Sequence, residues 1–401
     1  MASARGDRRR GVVTELDAVV VGSGPAGSAT AAHLARAGAR VTIVEQAHHP
    51  RAKACAEYAS PKIMEELART GLGPDQWTSL AIALGGMDLH VAARVARIRY
   101  ADRRGARTAW GVDRRTFDAR LAAHAASSGA ELREGVRVVG LVEERGRVRG
   151  VHVRDADGST VTMRAGIVVG ADGARSTVAR LAGVERPVGY PRRLGLVAHY
   201  MATSGLSDHG EMHVGDGYYV GLAPTPGDEL NVGMALPLEG RGSAEARFEA
   251  ALAGLPNVVT RLQDSRRVGP IRGAAPIGHR VAAAAGPGWL LVGDAAGFVD
   301  PFTGEGIHRA LRSARAAADA ILHEGDVAAA YRSERRRAFA AKSALTWMIQ
   351  GFLAAPPLLE HAVARLSTRP AVALRLGSAL GDCRPATDAL APRALFEVLG
   401  P

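Results

Sequence analysis

Three short, continuous apolar runs predict strands that are buried on both faces, as in a parallel sheet. They are AVVV before Gly22, IVV before Gly170 and WLLV before Gly293. The first run is followed by a helical pattern over about residues 26–37 and by a second strand, RVTIVE, that ends at Glu45. Strand, turn, helix and strand in this order predict a βαβ unit and a Rossmann-like domain.

The remaining chain follows two other patterns. Residues 80–110 and 193–236 alternate apolar and polar positions, as in DLHVAARVARIRY and NVGMALP, which predicts antiparallel strands. Residues 325–401 are helical in pattern, and Pro356 and Pro357 keep their most apolar segment too short to span a membrane. The favoured interpretation is a helix packed over a substrate domain. The alternative is that this segment borders the entrance for a lipophilic substrate or contacts a membrane surface.

The turn after the first strand has the spacing of a dinucleotide-binding fingerprint. Its residues are Gly22, Ser23, Gly24, Pro25, Ala26 and Gly27. The first glycine permits a tight turn, the second lets phosphate approach the backbone, and the third lets the helix pack on the strand. Glu45 follows about 20 positions later and can accept hydrogen bonds from an unphosphorylated adenosine ribose, which favours FAD or NAD.

Composition restricts the partners. The 401 residues are 47% hydrophobic and 23% charged, the balance of a globular chain rather than a disordered one. The formal net charge of +11 is spread along the chain without the basic and aromatic interleaving of a nucleic-acid groove. We therefore expect no nucleic-acid partner, whereas weak contact with an anionic membrane surface is compatible with this charge.

The two cysteines bear on redox compartment and metal binding. Cys55 and Cys383 offer neither metal-ligand spacing nor a disulfide framework, so no metal site is predicted and Cys383 is interpreted as structural. The basic start, MASARGDRRRGVVTELD, lacks the apolar core of a secretory signal. We expect a cytoplasmic protein with a disordered basic tail over residues 1–14, and the oligomeric state stays open.

Two later motifs distinguish FAD from NAD. The segments are IVVGADGARSTVARLAG (167–183) and GWLLVGDAAGFVDPFTGEGIHRALRSARAAADAI (288–321). An aspartate at a strand end, such as Asp294, can bind a ribityl hydroxyl. The helix that starts at Gly306 can present N–H groups and a positive dipole to the pyrimidine side of a flavin. The Asp172–Gly173 pair alone would indicate only a turn.

With these motifs in order, the chain resembles the flavoprotein superfamily that includes para-hydroxybenzoate hydroxylase, geranylgeranyl reductases and flavin-dependent halogenases. Residues 111–141 are similar to that family's flavin-contacting arginine, helix and adenine-side strand. The resemblance covers about residues 15–325 and implies both the fold and FAD. It does not choose the reaction, because one fold serves many reactions.

The resemblance implies how FAD is held. The adenosine half would contact Gly22, Gly24, Pro25, Ala26, Gly27, Glu45 and, beside the adenine, Val138. The other contacts would be Arg114 near the pyrophosphate, Asp294 on the ribityl chain, Gly304, Gly306 and Ile307 at the isoalloxazine, and Asp172 and Gly173 near the ribityl chain and the approach path of a nicotinamide.

These observations predict an α/β (α+β) fold with three parts. A Rossmann-like FAD-binding domain with a parallel sheet would comprise residues 15–80, 111–192 and 270–325. An antiparallel-sheet substrate domain (81–110 and 193–269) would be interleaved with it, and a helical C-terminal region (326–401) would follow. No second glycine fingerprint occurs, so NADH or NADPH would bind only transiently as the reductant.

The loop PRAKACAEYASP (residues 50–61) is similar to the P-x-x-K-x-C loop of geranylgeranyl reductases, although Ala56 replaces their usual glycine. The resemblance implies that Lys53 and Cys55 lie at the substrate cavity. Cys55 lacks a Cys-x-x-Cys partner, which excludes disulfide-relay chemistry. Whether its thiol reacts or only lines the cavity stays open. The candidate catalytic residues are Cys55, Glu57 and Tyr58.

The stretch YVGLAP (219–224) stands where prenyl reductases carry a tyrosine-x-tryptophan-x-phenylalanine-proline motif. Gly221 and Ala223 replace the two aromatic residues, each of which would bury about 150–250 Å². The resemblance therefore implies a wider or differently shaped substrate. The tryptophan-x-tryptophan-x-isoleucine-proline motif of halogenases is absent. The predicted cavity residues are Lys53, Tyr219, Gly221, Pro224 and Pro301.

Three functions are compatible with these residues. The favoured hypothesis is an FAD-dependent monooxygenase that uses NAD(P)H and O₂ to hydroxylate or epoxidise a small hydrophobic aromatic, quinone-type or polyketide-derived metabolite. The alternative is a geranylgeranyl-reductase-like enzyme that saturates a C=C bond of an isoprenoid or quinone tail, with Cys55 or Tyr58 supplying a proton. A flavin-binding protein without turnover is disfavoured by the complete motif set.

Overall fold

The computed structural model describes residues 16–202 and 206–400, so the predicted tail over residues 1–14 lies outside the described residues. The strands are β1 (Leu16–Val21), β2 (Val41–Glu45), β3 (Tyr58–Ala59), β4 (Ala81–Leu84), β5 (Met87–Val91), β6 (Arg94–Ile98), β7 (Tyr100–Asp102), β8 (Gly105–Arg107), β9 (Ala109–Val112), β10 (Glu131–Glu134), β11 (Arg137–Glu144), β12 (Arg147–Arg154), β13 (Thr160–Gly170), β14 (Glu185–Arg186), β15 (Arg193–Ala202), β16 (Gly210–Val214), β17 (Tyr219–Thr225), β18 (Glu229–Pro237), β19 (Ser265–Ala274), β20 (Arg280–Val281), β21 (Ala285–Gly286) and β22 (Trp289–Leu291).

The helices are α1 (Pro25–Arg36), α2 (Ile63–Thr70), α3 (Pro74–Trp77), α4 (Arg114–Ser127), α5 (Thr177–Leu181), α6 (Ala244–Ala253), α7 (Pro256–Leu262), α8 (Gly306–Leu322), α9 (Val327–Leu353), α10 (Pro356–Thr368), α11 (Pro370–Leu380), α12 (Thr387–Leu390) and α13 (Pro392–Leu399). Short 3₁₀ turns lie at Thr78–Leu80, Gly173–Arg175 and Gly293–Ala296.

The first sheet confirms the predicted Rossmann-like unit. Its strand order is β10-β2-β1-β13-β12-β11, with β22 beside β13. The strands β10, β2, β1, β13 and β22 are parallel, and β12 and β11 extend the sheet as an antiparallel pair. Helices α1 and α8 pack together, and their alanine-rich faces share one apolar cluster with β1, β2 and β13. The three apolar runs therefore end at one edge of this sheet.

The second sheet confirms the predicted antiparallel layer. Its order is β19-β15-β18-β17-β16-β5-β6. Adjacent strands are antiparallel except β16 and β5, which pair in parallel and join residues 87–98 to residues 193–274. A smaller sheet, β3-β9-β4, connects the loop over residues 50–61 to this region.

The second sheet continues past the predicted domain border at residue 269. We expected the substrate domain to end at residue 269, but β19 pairs with β15 as far as Ala274. Gly269, with a φ of +77°, and Pro270 occupy a register shift opposite Val197 and His199. Edge strands accommodate glycine and proline in such bulges. The Gly–Pro pair therefore marks a bulge inside an edge strand rather than a domain border.

The C-terminal region is helical, as predicted. Helix α9 ends at Leu353, and α10 starts at Pro356, since proline is tolerated in the first turn of a helix but not in its interior. Helix α10 packs against β5 and β6, and α11 against β6 and β7. Among the described residues, no helix combines the length and apolarity needed to cross a membrane.

Candidate active site

The glycine turn between β1 and α1 has the geometry predicted from its spacing. Gly22 has a φ of +98°, and a Cβ there would lie 2.7 Å from the carbonyl oxygen of Ala171. A Cβ on Gly27 would lie 1.9 Å from the carbonyl oxygen of Gly22. A Cβ on Gly24 would meet only Arg51, at 3.5 Å, and no side chain caps α1. The first N–H groups of α1 are thus available to an anionic ligand.

Glu45 is fixed at the end of β2 beside this turn. Its carboxylate accepts hydrogen bonds from the Ser23 N–H (2.9 Å), the Ser23 hydroxyl (2.8 Å) and the Ala47 N–H (2.9 Å). Burial raises its pKa, but the Arg51 charge and these hydrogen bonds outweigh burial and leave the pKa lowered. A carboxylate has about four acceptor positions, so Glu45 keeps capacity for a further donor.

Arg51 is a site residue that the sequence analysis missed. Its Nε lies 3.7 Å from Glu45 Oε2, and its Nη2 lies 3.7 Å from Asp118 Oδ2. Within the described part of the chain its buried Nε has no hydrogen-bond partner. A cation with an unused donor beside the uncapped start of α1 fits a diphosphate group. The residues at this turn therefore fit the pyrophosphate of FAD.

Arg114, which the resemblance placed near the pyrophosphate, is buried between α4 and the loop over residues 50–61. Its guanidinium donates to both Asp118 oxygens, at 2.8 Å each, and to Cys55 Sγ, at 3.2 Å. Burial lowers the pKa of Arg114, yet Asp118 and Cys55 outweigh burial and raise the pKa well above its usual value. Asp118 separates Arg114 from Arg51, so Arg114 supports the diphosphate side of the site through Asp118.

The side chain of Asp172 caps a helix. It accepts hydrogen bonds from the Ser176 hydroxyl (2.6 Å) and from the N–H groups of Thr177 (2.6 Å) and Val178 (3.2 Å) at the start of α5. Burial outweighs these hydrogen bonds and raises its pKa. A Cβ on Gly22 would lie 3.1 Å from the Asp172 Cα, so this residue also closes the glycine turn.

The structure brings Lys53, which was predicted at the substrate cavity, beside Gly173 and Asp294. Lys53 Nζ lies 3.9 Å from Asp294 Oδ2 and 4.0 Å from where a Cβ on Gly173 would stand. The loop over residues 50–61 therefore crosses the carboxyl ends of β13 and β22, the edge where ligands bind in open α/β sheets.

Helix α8 provides a second uncapped start. No side chain caps it, and a Cβ on Gly306 would meet no atom within 4 Å. Ile307 is buried behind it, and Val138 is buried in β11 near the end of β2. These placements leave the first N–H groups of α8 available to a ligand.

Glu57 is held in place by the second sheet and by the start of α4. It is 2% exposed and has a left-handed φ of +56°. Its carboxylate accepts from the Arg114 N–H (3.0 Å), from Asn231 Nδ2 (3.0 Å) and from His199 Nε2 (2.8 Å). The hydrogen bond from His199 is the largest cause of that histidine's raised pKa. Such strain persists only where several contacts hold the backbone.

His199 and Asn231 were missed by the sequence analysis. They lie 142 and 174 residues from Glu57, on β15 and β18, so no local spacing could connect them to the loop. Asn231 Nδ2 also donates to the Cys55 carbonyl oxygen at 2.9 Å. The second sheet thus holds the loop that carries Cys55 over the first sheet.

An apolar cavity lies between the second sheet and the C-terminal helices. Its cavity volume is about 120 Å³, and about 1120 Å³ of empty space lies within its bounds when the open solvent is counted. Phe302 and Thr303, which precede α8, form part of its wall, and a Cβ on Gly304 would lie 2.6 Å from the Tyr58 ring. Tyr58 therefore lines the cavity and also lies beside Gly304 of the predicted flavin-binding motif. Other wall residues include Met87, Leu89, Met212, Met348, Phe352, Leu359, Ala362, Val363 and Leu376.

Two hydroxyl groups lie in this apolar wall. The Tyr58 and Tyr100 hydroxyls are 2.8 Å apart. Burial raises the pKa of Tyr58 well above its usual value and that of Tyr100 to about 12. Both hydroxyls therefore keep their protons at neutral pH. Among the described residues, Cys55 and Glu57 are not part of this wall.

Three predicted cavity residues lie one layer behind the wall. Tyr219 donates to Asp300 Oδ1 at 2.7 Å, and its ring packs edge-to-face on Phe302 at 5.0 Å. Gly221 lies opposite Met212 in the sheet, and a Cβ on it would lie 3.4 Å from that methionine's methyl group. Pro224 faces Gly111 through its carbonyl oxygen. Phe302 and Met212 therefore line the cavity, and Tyr219 and Gly221, which we expected to line it, lie behind them.

Comparison with known sequences gives a consistent result. Residues 15–342 match a family model described as FAD binding domain. A menaquinone reductase of Mycolicibacterium smegmatis is 33% identical over 325 residues, covering 78% of each chain. A digeranylgeranylglycerophospholipid reductase of Methanosarcina mazei is 29% identical over 328 residues, covering 78% of this chain and 77% of the relative.

Solved structures share the fold. The flavin-dependent brominase Bmp2 superposes with a TM-score of 0.81 at 20% identity, covering 96% of this chain and 99% of that one. A geranylgeranyl bacteriochlorophyll reductase-like protein from Thermoplasma acidophilum superposes with a TM-score of 0.74 at 24% identity, covering 88% and 91%. At these identities the likeness establishes the architecture and leaves the reaction to the site itself.

Proposed function

Because this chain belongs to the FAD binding domain family, we propose that it is an FAD-dependent reductase that saturates a C=C bond in an isoprenoid or quinone-linked tail. The apolar cavity carries this proposal. Its wall includes Tyr58, whose ring lies beside Gly304, just before the start of α8. An extended, almost wholly apolar wall suits an aliphatic chain better than a charged metabolite. The names of the menaquinone and digeranylgeranylglycerophospholipid reductases favour the same substrate class.

Separate parts of the site would hold the cofactor. Arg51, Glu45 and the start of α1 are suited to the adenosine diphosphate half, and Asp294 and the start of α8 to the flavin half. When bound, FAD supplies the two-electron redox chemistry, and NADH or NADPH is the proposed transient reductant.

The chain itself supplies a dry, shaped pocket and a proton source. Saturating a C=C bond adds two electrons and two protons to the substrate. The Tyr58–Tyr100 hydroxyl pair provides two O–H groups in the apolar cavity wall, and because of this position we assign proton delivery to the pair. Glu57 positions the loop through His199 and Asn231, and Cys55 Sγ accepts hydrogen bonds from Arg114 and from the Glu57 N–H.

Hydroxylation or epoxidation with O₂ is the second candidate. It is favoured by Gly221 and Ala223, which leave this sheet without the two aromatic residues of prenyl reductases. A wider space beside Met212 would accept the ring of a small hydrophobic aromatic or quinone-type metabolite.

One experiment separates the two candidates. Purified holoprotein is given NADH or NADPH with a menaquinone bearing an unsaturated tail, with and without O₂, and products are analysed by mass spectrometry. We expect a product with two additional hydrogens under strictly anaerobic conditions. A product that forms only in air and contains one additional oxygen would reject the reductase and support the monooxygenase.

Substitution of the tyrosines tests the proton source. Tyr58→Phe and Tyr100→Phe should lower kcat by roughly 10²-fold or more, the usual size of a general-acid effect, while FAD content stays normal. Cys55→Ala, which leaves the cavity wall intact, serves as the comparison. Full activity of both tyrosine variants would refute this assignment.

We also propose that the substrate enters from a membrane surface. Arg375 and Glu397 belong to the cavity wall and form a partly exposed ion pair. The neighbouring Leu374 and Phe396 are 37% and 65% exposed. Exposed apolar side chains beside a basic residue suit the interface of an anionic bilayer. Sedimentation with phosphatidylglycerol vesicles should fall for Phe396→Ser, and equal sedimentation of the two proteins would reject this surface.

A further inference from the structure

The parallel pair β5 and β16 joins the two chain segments of the second sheet and presents different side chains on its two faces. Leu89 and Met212 line the cavity. Their sequence neighbours His90 and His213 therefore lie on the opposite face, because successive residues of a strand alternate, and Glu211 lies there as well. This outer face is separate from the flavin-binding edge and from the cavity.

Three potential ligands converge on this face. His90 and His213 are directly opposite in the strand register, and their rings stack with centroids 4.1 Å apart and planes at 14°. Glu211 Oε2 lies 3.0 Å from His213 Nε2. One ligand atom from each of the three residues lies within 4.8 Å of the other two.

These separations are close to those of a coordinated ion. Two atoms bound at about 2.1 Å to one tetrahedral ion lie roughly 3.4 Å apart. The 3.0 Å contact between Glu211 Oε2 and His213 Nε2 is a hydrogen bond, so an ion would replace its proton and widen this spacing slightly. His90 must shift by about 1 Å, and the two stacked rings must rotate so that one nitrogen of each points at the ion. No change in the strand pairing is needed.

We propose that His90, Glu211 and His213 form a binding site for a divalent transition-metal ion such as Zn²⁺. Two imidazoles and one carboxylate are typical ligands of Zn²⁺, Ni²⁺ and Cu²⁺, whereas Mg²⁺ and Ca²⁺ prefer oxygen ligands alone. The side chains are largely buried, at 4% exposure for His213 and 15% for Glu211. Arg261 Nε donates to Glu211 Oε1 at 3.1 Å and holds the carboxylate in orientation, as hydrogen bonds to metal ligands commonly do.

The position of the site indicates a structural role. An ion bound there would cross-link β5 to β16 and so tie residues 87–98 to residues 193–274 behind the cavity wall. Since unfolding separates the ligands, binding to the folded state alone raises the melting temperature. This inference goes beyond the proposed reaction and does not depend on it.

Titration with Zn²⁺ alone tests the site. Chelator-treated holoprotein is titrated by calorimetry, and Tm is measured with and without Zn²⁺. We expect one ion per chain and a higher Tm. His90→Gln and His213→Gln should weaken binding by at least about tenfold. His152→Gln is the matched control, because His152 is a partly buried histidine on β12 that bonds only Thr162 among its described contacts, and it should bind like the parent.

Co²⁺ provides a readout that does not depend on the variants folding. Bound by two imidazoles and a carboxylate, it should give visible d–d absorption in the parent protein and in His152→Gln. FAD content and Tm without metal establish that the other variants are folded. The proposal is overturned if the parent shows neither stoichiometric Zn²⁺ binding nor the Co²⁺ spectrum, or if folded His90→Gln and His213→Gln bind as tightly as the control.

Discussion

At the scale of single residues, Arg51 shows most directly that the glycine turn is built for an anion. It lies between two buried carboxylates, Glu45 and Asp118, yet its own buried Nε has no acceptor among the described residues. A buried donor without a partner costs free energy unless a ligand supplies the acceptor. We therefore expect Arg51 to contribute directly to FAD affinity.

Arg51→Gln tests this expectation. A hydrogen bond to a charged group contributes about 1.5–3 kcal/mol, so the variant should bind FAD roughly 10- to 100-fold more weakly. The measurement is fluorescence titration of the apoprotein with FAD. Arg40→Gln is the matched control, because Arg40 is an exposed residue paired with Asp17 at the far end of β1. Equal affinity of the two variants would contradict the assignment.

His199 gives the loop over residues 50–61 a pH-dependent anchor. Its pKa is raised, mainly by the hydrogen bond to Glu57, so the folded state favours the protonated ring. The resulting stability is fully present below the unfolded pKa of about 6.5 and is lost as pH rises through the folded pKa.

The difference in Tm between the parent protein and His199→Gln should therefore shrink as pH rises. Thermal unfolding monitored by circular dichroism at about pH 5.5 and about pH 9 provides the test. His152→Gln, measured at the same two values, corrects for effects common to any histidine. A Tm difference that stays constant or grows with pH would show that the ion pair with Glu57 does not stabilise the fold.

At the scale of elements, the two helices that start at the candidate site have no side-chain cap. Side chains of Asp113 and Asp326 cap α4 and α9. Helices α1 and α8 start at Pro25 and Gly306, directly after Gly24 and Glu305, without any side-chain cap. Uncapped N–H groups need another acceptor. Since α10 and α11 also lack side-chain caps, the open glycine positions beside α1 and α8, rather than the missing cap alone, suit these two helix ends to the cofactor.

Helix α10 shapes the cavity, and Ala362→Phe tests its role. Ala362 is buried in the wall, so a phenyl ring there should shorten the cavity. We expect KM for a long-tailed quinone to rise at least about tenfold while a short-tailed analogue reacts normally, at an overpacking cost of roughly 1–3 kcal/mol. Ala371→Phe on the exposed face of α11 is the control. Equal effects on both substrates would place the tail elsewhere.

These elements also show which features of the site could be predicted from the sequence alone. The glycine turn, Glu45 and the start of α8 were predictable because strand, turn and helix follow one another within a few residues. The cavity was not, because it brings Tyr58 against α10 and α11, some three hundred residues later in the chain. The Gly269–Pro270 pair has the composition of a connection, but the neighbouring strand turns it into a bulge.

At the scale of the whole molecule, one buried cation joins the C-terminal helices to the FAD-binding part. Lys342 Nζ on α9 lies 2.9 Å from Glu305 Oε1 and 3.1 Å from Asp382 Oδ1, and it donates to the carbonyl oxygens of Ala379 and Leu380. Burial raises the pKa of Asp382, but His308 and Lys342 outweigh it and lower that pKa to about 2.

Lys342→Met should destabilise the protein substantially. Removing one partner leaves buried carboxylates without a counter-charge, which costs roughly 3–5 kcal/mol in free energy of unfolding. Urea denaturation measures this change. Lys62→Met is the comparison, because Lys62 pairs with Glu65 and Asp102 nearer the surface and should cost no more than about 1 kcal/mol. Similar losses of unfolding free energy in both variants would show that the buried Lys342 ion pairs are not a principal link between the C-terminal helices and the FAD-binding part.

The family match ends at residue 342, and most residues of the cavity wall come after it. The stretch matched by the FAD-binding family and the helices that supply most of the pocket wall are thus consecutive in the chain, and they are joined by the Lys342 ion pairs and by the packing of α10 and α11 on β5, β6 and β7. Mutations in α10–α13 can change which molecules fit without altering the glycine turn. Evolution can therefore diversify the substrate range on a constant redox core, and exchanging these helices between relatives is a direct route to new specificities.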